Sequence, residues 1–166
     1  MQFKLRPWSM NDLESLVQNA NNPAIAKNMM DQFPYPYTTE AGIKFIEFAT
    51  KDQPIHIFAI EIEGKAVGGI GLHLQEDVRK KNAELGYWLA EPYWGKGIIT
   101  KAISEMVEFG FKNFDIDRIF ARPYGTNKGS QRVLEKAGFI LEARFDKTCY
   151  KNNEYQDELV YATRKQ

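Results

Sequence analysis

Glu84-Leu85-Gly86-Tyr87-Trp88-Leu89 leads through Ala90-Glu91-Pro92 into Tyr93-Trp94-Gly95-Lys96-Gly97, and from there into Ile98-Ile99-Thr100-Lys101-Ala102-Ile103. The first stretch reads as a strand that ends before Pro92, because proline supplies no ladder donor. Beyond the glycines the period changes: Ile99, Ala102, Ile103, Met106 and Phe109 recur at the spacing of one buried helix face. Strand, glycine turn and helix form the central unit of the chain. Gly95 and Gly97 remove side chains where the backbone must turn sharply. The helix start that follows presents N–H groups and a positive dipole end to the same space. Together they suit a pyrophosphate, with Lys96 and the Thr100 hydroxyl as further partners. The same two glycines can also serve turn geometry alone.

Of two commoner nucleotide motifs tested on these residues, the first fails and the second stays open only as a remote alternative, because the upstream hairpins do not resemble a doubly wound fold. A triphosphate loop needs glycine where Ala90 stands and Ser or Thr directly after Gly-Lys, where Gly97 stands. A dinucleotide fingerprint needs glycine at Thr100, although Asp115 and Asp117 lie at the distance of a ribose-binding acid.

Working outward, Gln2 to Arg6 reads as a strand. Ser9 and Asp12 then have the spacing of a capping box, ahead of Leu13, Leu16 and Val17. Asn21 to Met30 is partly helical, and the prolines of Phe33-Pro34-Tyr35-Pro36-Tyr37 impose a loop that exposes aromatic groups. A helix covers about Thr39 to Thr50. From Ile55 the alternation is that of strands, with a hairpin turn at Glu63-Gly64-Lys65 into Ala66 to Leu74. Ala83 to Leu89 and Asp117 to Tyr124 are further strands. Lys128 to Lys136 is a short helix closed by Gly138, and Phe139 to Arg144 leads to a terminal hairpin through Lys151-Asn152-Asn153-Glu154. The expected class is α+β: a central mixed, mostly antiparallel sheet of about seven strands, with about four helices on both faces.

With 166 residues, 43% of them hydrophobic, and no repeat or linker, the expectation is one domain over 1–166. Lys plus Arg and Asp plus Glu both number 22, which gives no electrostatic signature of a nucleic-acid or membrane-surface binder. No apolar run reaches the roughly 18 residues of a membrane span, and no secretory leader is visible. The one cysteine, Cys149, fits a reducing compartment and has no base beside it in sequence, so the expected location is cytoplasmic. His56 and His73 have no nearby carboxylate or second histidine at metal-ligand spacing, and no metal is expected.

Three segments in this order, Glu84 to Leu89, Tyr93 to Ile98, and Asn127-Lys128-Gly129-Ser130 with Val133 to Phe139, resemble the GNAT acyltransferase superfamily, and within it the RimJ/RimL-like branch of ribosomal-protein N-terminal acetyltransferases. The resemblance runs over essentially the whole chain. It implies acetyl-CoA as cosubstrate, its pantetheine arm paired to the main chain of Trp88, Leu89 and Ala90, and its pyrophosphate held by the amides of Gly95, Lys96, Gly97, Ile98, Ile99 and Thr100. The family's cradle pattern falls on Trp94 to Ile99; Trp94 takes the place of a polar residue and Ile99 that of a small one. Asn127 matches an asparagine that contacts the CoA arm, and it also suits a helix cap. The tyrosine that many members use to protonate the leaving thiolate falls at Leu134, which leaves Ser130, a water, or no general acid at all.

The acceptor is expected to be a primary amine. An α-amine of pKa about 7.7–8.0 costs about 1 kcal/mol to deprotonate at pH 7, whereas a lysine near 10.4 costs about 4–5. A modest base suffices for the former, and Glu84 is the candidate; a solvated strand glutamate paired to a neighbouring lysine is the competing reading. Oxyanion stabilisation is expected from main-chain N–H groups near Trp88 and Leu89. Phe33, Tyr35 and Tyr37, with the terminal hairpin around Tyr150 and Tyr155, are candidate acceptor walls. The expected reaction is direct attack in a ternary complex, by a monomer or homodimer, on a protein N-terminus or a small-molecule amine. The rival reading is a non-catalytic acyl-CoA-binding or sensing module, suggested by Leu134 and Ile99.

Overall fold

Ser9 and Asp12 close the capping box that their spacing predicts. The Ser9 hydroxyl accepts from the Asn11 N–H at 3.1 Å, and the Asp12 carboxylate accepts from the Ser9 N–H at 2.9 Å. The box caps a 3-10 turn, Met10–Asp12, that runs into α1, Leu13–Ala20. Asp12 also takes both ends of the Arg6 guanidinium, at 2.7 and 2.8 Å, and Arg6 in turn bonds Glu61. Burial alone would raise the Asp12 carboxyl; the Arg6 and Ser9 donors outweigh it and hold the group below the usual carboxylate range.

The computed structural model describes all 166 residues. Its remaining helices are α2, Pro23–Ala26, α3, Thr39–Thr50, α4, Ile98–Asn113, and α5, Lys128–Lys136. The strands are β1, Lys4–Pro7, β2, Ile57–Ile62, β3, Lys65–Leu74, β4, Asn82–Leu89, β5, Arg118–Ala121, β6, Ile140–Lys151, and β7, Glu154–Arg164. They form one seven-stranded sheet in the order β1-β2-β3-β4-β5-β7-β6. β4 and β5 are parallel, while β1–β2, β2–β3, β5–β7 and β6–β7 are antiparallel. This is the mixed, mostly antiparallel α/β architecture expected. A fifth α-helix, the short α2 begun by Pro23 and capped by Asn22, accounts for the partly helical segment after α1.

The chain divides into two units: Met1–Gly71 with Tyr87–Ile98, and Leu72–Gly86 with Ile99–Gln166. In the first, Trp8, Leu16, Ile25, Tyr37, Ile46 and Trp88 belong to one core cluster. Gly68 and Gly69 let β3 pass close to the end of β4. A Cβ at Gly68 would lie 2.5 Å from the Trp88 carbonyl oxygen, and one at Gly69 would lie 2.9 Å from the Trp88 indole nitrogen. In the second unit Leu72, Ile103, Met106, Ile119, Leu134 and Leu159 are fully buried. A Cβ at Gly110 of α4 would sit 2.5 Å from Leu72 Cδ1, so glycine there lets the helix lie close to β3. The buried face of α4 starts at Ile98, with Ile99 half-buried beside it, because Ile98 stands four residues before Ala102.

Candidate functional site

The end of β4 passes into a 3-10 turn, Glu91–Tyr93, and then into the glycine bend. Gly95 and Gly97 have φ of +73° and +75°, and a Cβ at either would meet open space. Glycine is therefore required by the left-handed backbone itself, not by crowding. The bend is tied back to the strand twice. Trp94 Nε1–H donates to the Leu89 carbonyl at 2.7 Å, and the Ala90 N–H donates to the Val67 carbonyl at 2.8 Å. Trp94, which replaces a polar residue of the family pattern, thus anchors the turn with the one polar atom of its ring. Lys96 Nζ stands 5.5 Å from the centre of the Tyr93 ring, a cation–π contact that keeps its charge over the bend. Ile98, Ile99 and Thr100 form the first turn of α4, which contains no acidic residue. A positive helix start without a local carboxylate is a fitting place for an anion.

Trp88, Leu89 and Ala90 are all buried. Of their main-chain groups, the Ala90 N–H and one lone pair of the Leu89 carbonyl are occupied by the two bonds that tie the bend. The parallel pairing of β4 with β5 joins Asn82, Ala83 and Glu84 to Arg118, Ile119 and Phe120, and β4 then runs on to Leu89. A strand that outlasts its parallel partner offers an edge along which an extended arm can add.

Glu84 is not a solitary base. Arg122 grips its carboxylate in a fork, Nε to Oε2 at 2.5 Å and Nη2 to Oε1 at 3.1 Å. The ion-paired reading thus describes its resting state, with arginine rather than lysine as partner. The Glu84 interaction holds the Arg122 guanidinium above its ordinary pKa. Asn127 caps α5, its Oδ1 accepting from the Ser130 N–H at 3.2 Å. Its side-chain NH2 is not used in that cap. Leu134, where the family tyrosine would stand, is fully buried.

Of the aromatic loop, Tyr35 is exposed as expected, whereas Tyr37 is buried. Phe33 packs at 5.1 Å from Tyr37 and 5.9 Å from Trp88, centre to centre, so the segment folds its aromatics onto the side chain at the end of β4. Burial pushes the Tyr37 phenol up to about 12. Tyr150 and Tyr155 are exposed and lie 5.0 Å apart at the hairpin end of β6 and β7. The Cys149 thiol is pushed up by burial and by Glu158, whose carboxylate accepts its S–H at 3.4 Å, which is the opposite of an activated nucleophile. His56, expected to lack a carboxylate, has one: Asp52 Oδ2 lies 2.9 Å from its Nε2.

Sequence reasoning passed over three arginines. Arg79, Arg118 and Arg122 line a cavity of about 260 Å³ together with Gln75, Asn82 and Phe120. The signal was present in β5 and the residue after it, where Arg118, Phe120 and Arg122 alternate with Ile119 and Ala121.

A strand, glycine bend and helix in this order, with a second helix opened by asparagine, is the arrangement that the resemblance to acyl-CoA transferases implies. Comparison with known proteins agrees. Residues 2–140 match the family described as the acetyltransferase (GNAT) domain. Among curated relatives, Bacillus subtilis YdaF is 33% identical over 60% of this chain and 54% of its own length. The Bacillus subtilis protein named a probable N-acetyltransferase, YjcK, is 31% identical over 95% of this chain and 91% of its own. The ribosomal-protein-serine acetyltransferase of Escherichia coli is 31% identical over 64% of this chain and 59% of that protein. The chain therefore spans little more than half the length of YdaF and of the Escherichia coli enzyme. Among solved structures, the microcin C7 self-immunity acetyltransferase MccE, in complex with acetyl-CoA and AMP, superposes with a TM-score of 0.84 at 26% identity, covering 99% of this chain and 93% of that one. The chain belongs to the GNAT family of N-acetyltransferases.

Proposed function

We propose that this chain, acting as a single domain over residues 1–166, transfers acetyl from acetyl-CoA to a primary amine, a protein N-terminal α-amine or the amine of a small molecule. The observation that carries the reading is the bend at Gly95 and Gly97, fastened to β4 by Trp94 and opening a helix free of acidic residues in its first turn. Its amides, from Gly95 to Thr100, take the pyrophosphate, and the edge of Trp88 to Ala90 receives the pantetheine arm. The complex of MccE with acetyl-CoA and the name of the Escherichia coli relative, a ribosomal-protein-serine acetyltransferase, support the same assignment.

The amine attacks the thioester carbonyl directly. The new C–N bond forms as the C–S bond breaks, CoA leaves as thiolate and the amine gives up one proton. Glu84 accepts that proton, directly or through a water, on the lone pairs that Arg122 leaves open. The thiolate, of pKa about 8.5, departs with little help, so Ser130 or a water suffices in place of the tyrosine missing at Leu134. Asn127 holds the CoA arm with its free amide, and Phe33 and Tyr35 border the acceptor, with the expected third wall residue, Tyr37, buried behind Phe33. The protein works in the cytoplasm as a monomer or homodimer, without metal or nucleic acid.

Release of free thiol from acetyl-CoA, measured over a panel of N-terminal peptides, amino acids and polyamines, tests the reading. Turnover with at least one amine is expected. CoA binding without turnover over the whole panel favours the non-catalytic acyl-CoA module. Glu84→Gln is expected to lower turnover chiefly at low pH, where little neutral amine exists; matching pH profiles for variant and parent would remove Glu84 from the mechanism.

A further inference from the structure

The cavity beside β5 has a wall of unusual composition. Arg79, Arg118 and Arg122 supply three guanidiniums, Gln75 and Asn82 two amides, and Phe120 an aromatic face. The carboxylates that balance two of these arginines lie outside the lining: Glu84 holds Arg122, and Glu142 holds Arg118 at 2.7 Å while also bonding Arg164 at 3.2 Å. The third, Arg79, at the end of the 3-10 turn Asp77–Arg79, makes no ion pair. Arg118 is fixed from several sides. Nη1 donates to Asn82 Oδ1 at 2.9 Å, Nε and Nη2 donate to Glu142, and the guanidinium lies 4.8 Å from the centre of the Phe120 ring.

A guanidinium has five N–H donors. The bonds above engage three on Arg118 and two on Arg122, so donors remain on both, and all of those on Arg79 remain. Arg118 and Arg122 are already held in place and lose little freedom when an anion arrives, the exposed Arg79 closes on it from the surface, and arginine forks match planar oxyanions. At about 260 Å³ the cavity lies just below the ~300–1,000 Å³ of whole small-molecule sites, which suits one group of a larger acceptor and not a cofactor.

From this wall, and resting on the acetyltransferase reading, we infer that the cavity is a subsite for an anionic group, a carboxylate, carried by the amine acceptor. The link to the acceptor is Arg122, which lines the cavity and at the same time grips Glu84, the group assigned to the amine proton. An acceptor seated with its carboxylate on Arg79 and Arg118 would place its remaining atoms beside that ion pair. The preferred substrates are then amines with an acidic neighbour, such as an N-terminal peptide with Asp or Glu near its start, in place of polyamines.

Two measurements on the full chain test this. In the first, succinate, inorganic phosphate and neutral succinamide are titrated while the arginine Nε–H resonances are followed by NMR. Saturable shifts with succinate and none with succinamide are expected, and Arg79→Gln should weaken the succinate response about tenfold, the loss of one charge-assisted contact. Linear, non-saturating shifts that are alike for parent and variant would overturn the subsite. In the second, kcat/KM is compared for acceptors that differ only by a carboxylate replaced with its carboxamide. An acid-to-amide ratio of about ten or more, collapsing toward one in Arg79→Gln, is expected. Turnover with a ratio of one in the parent overturns the subsite and leaves the acetyltransferase reading standing. No turnover of any acceptor, with CoA still bound, overturns the acetyltransferase reading and the acceptor assignment with it. A larger preference for a phosphoserine-bearing acceptor supports the subsite and makes phosphate the group it selects.

Discussion

The indole N–H of Trp94 is bonded to the carbonyl of Leu89 at 2.7 Å, across the turn that separates the last strand residue from the glycine bend. That single bond gives a bulky aromatic a polar anchor at a position where the family pattern carries a polar residue. The ring itself is half exposed, so its value lies in holding the turn and not in buried area.

Trp94→Phe keeps the ring and removes the donor. A hydrogen bond of this kind contributes about 1 kcal/mol to stability, so the unfolding midpoint should fall by about 2–4 °C, and with the bend loosened CoA affinity measured by calorimetry should fall about three- to tenfold. Unchanged affinity would show that the turn holds its shape without the bond.

The glycines divide into two kinds with different penalties. Gly97→Ala meets no steric obstacle and pays only for φ of +75°, about 1–2 kcal/mol in denaturant unfolding, and Gly97→Asn should recover part of it because asparagine tolerates the left-handed region. Gly68→Ala brings a Cβ to 2.5 Å from the Trp88 carbonyl, so backbone must move, at a cost of about 1–3 kcal/mol. Only Gly68→Ala should also perturb the Trp88 emission spectrum, since only it displaces that residue. Equal rescue of both positions by asparagine would contradict the distinction.

Much of this was written in local sequence. The Ser9–Asp12 box, the Asn127 cap and the bend at Gly95 and Gly97 all depend on residues within a few positions of one another, and all are found where spacing puts them. What escaped was long-range. Arg122 meets Glu84 across 38 residues because β4 and β5 pair in parallel, and nothing local announces that register. Tyr37 sits in a proline-rich loop that composition reads as exposed, yet an aromatic cluster with Phe33 and Trp88 draws it inward. Asp52 escaped as the partner of His56 because it lies outside the strand alternation that guided the reading there.

The Arg6–Asp12 pair predicts an acid limb of stability. Asp12 has a depressed pKa in the folded state, so its contribution is fully present above the unfolded value of about 3.9 and is lost as pH falls through the lower folded value. Asp12→Asn should cost about 1–3 kcal/mol at pH 7, where a charged partner is lost, and should flatten the further fall in stability as pH drops below the unfolded carboxylate range. Urea titrations at several pH values decide it. A variant whose stability falls with acid as steeply as that of the parent would mean that other carboxylates, such as Glu61, carry the limb.

Asn127 has two assignments, cap and ligand, that one pair of substitutions can separate. Its Oδ1 accepts from the Ser130 N–H, a role that aspartate fills equally well. The amide NH2, proposed as a donor to the CoA arm, has no counterpart in aspartate. Asn127→Asp should therefore keep the stability of the parent within a few tenths of a kcal/mol while weakening CoA binding, because a donor is lost and a negative charge is added. Asn127→Ala should lose about 1 kcal/mol of stability as well as affinity. If Asn127→Asp binds CoA as the parent does, the asparagine is a cap alone, and the pantetheine arm must find its donor elsewhere.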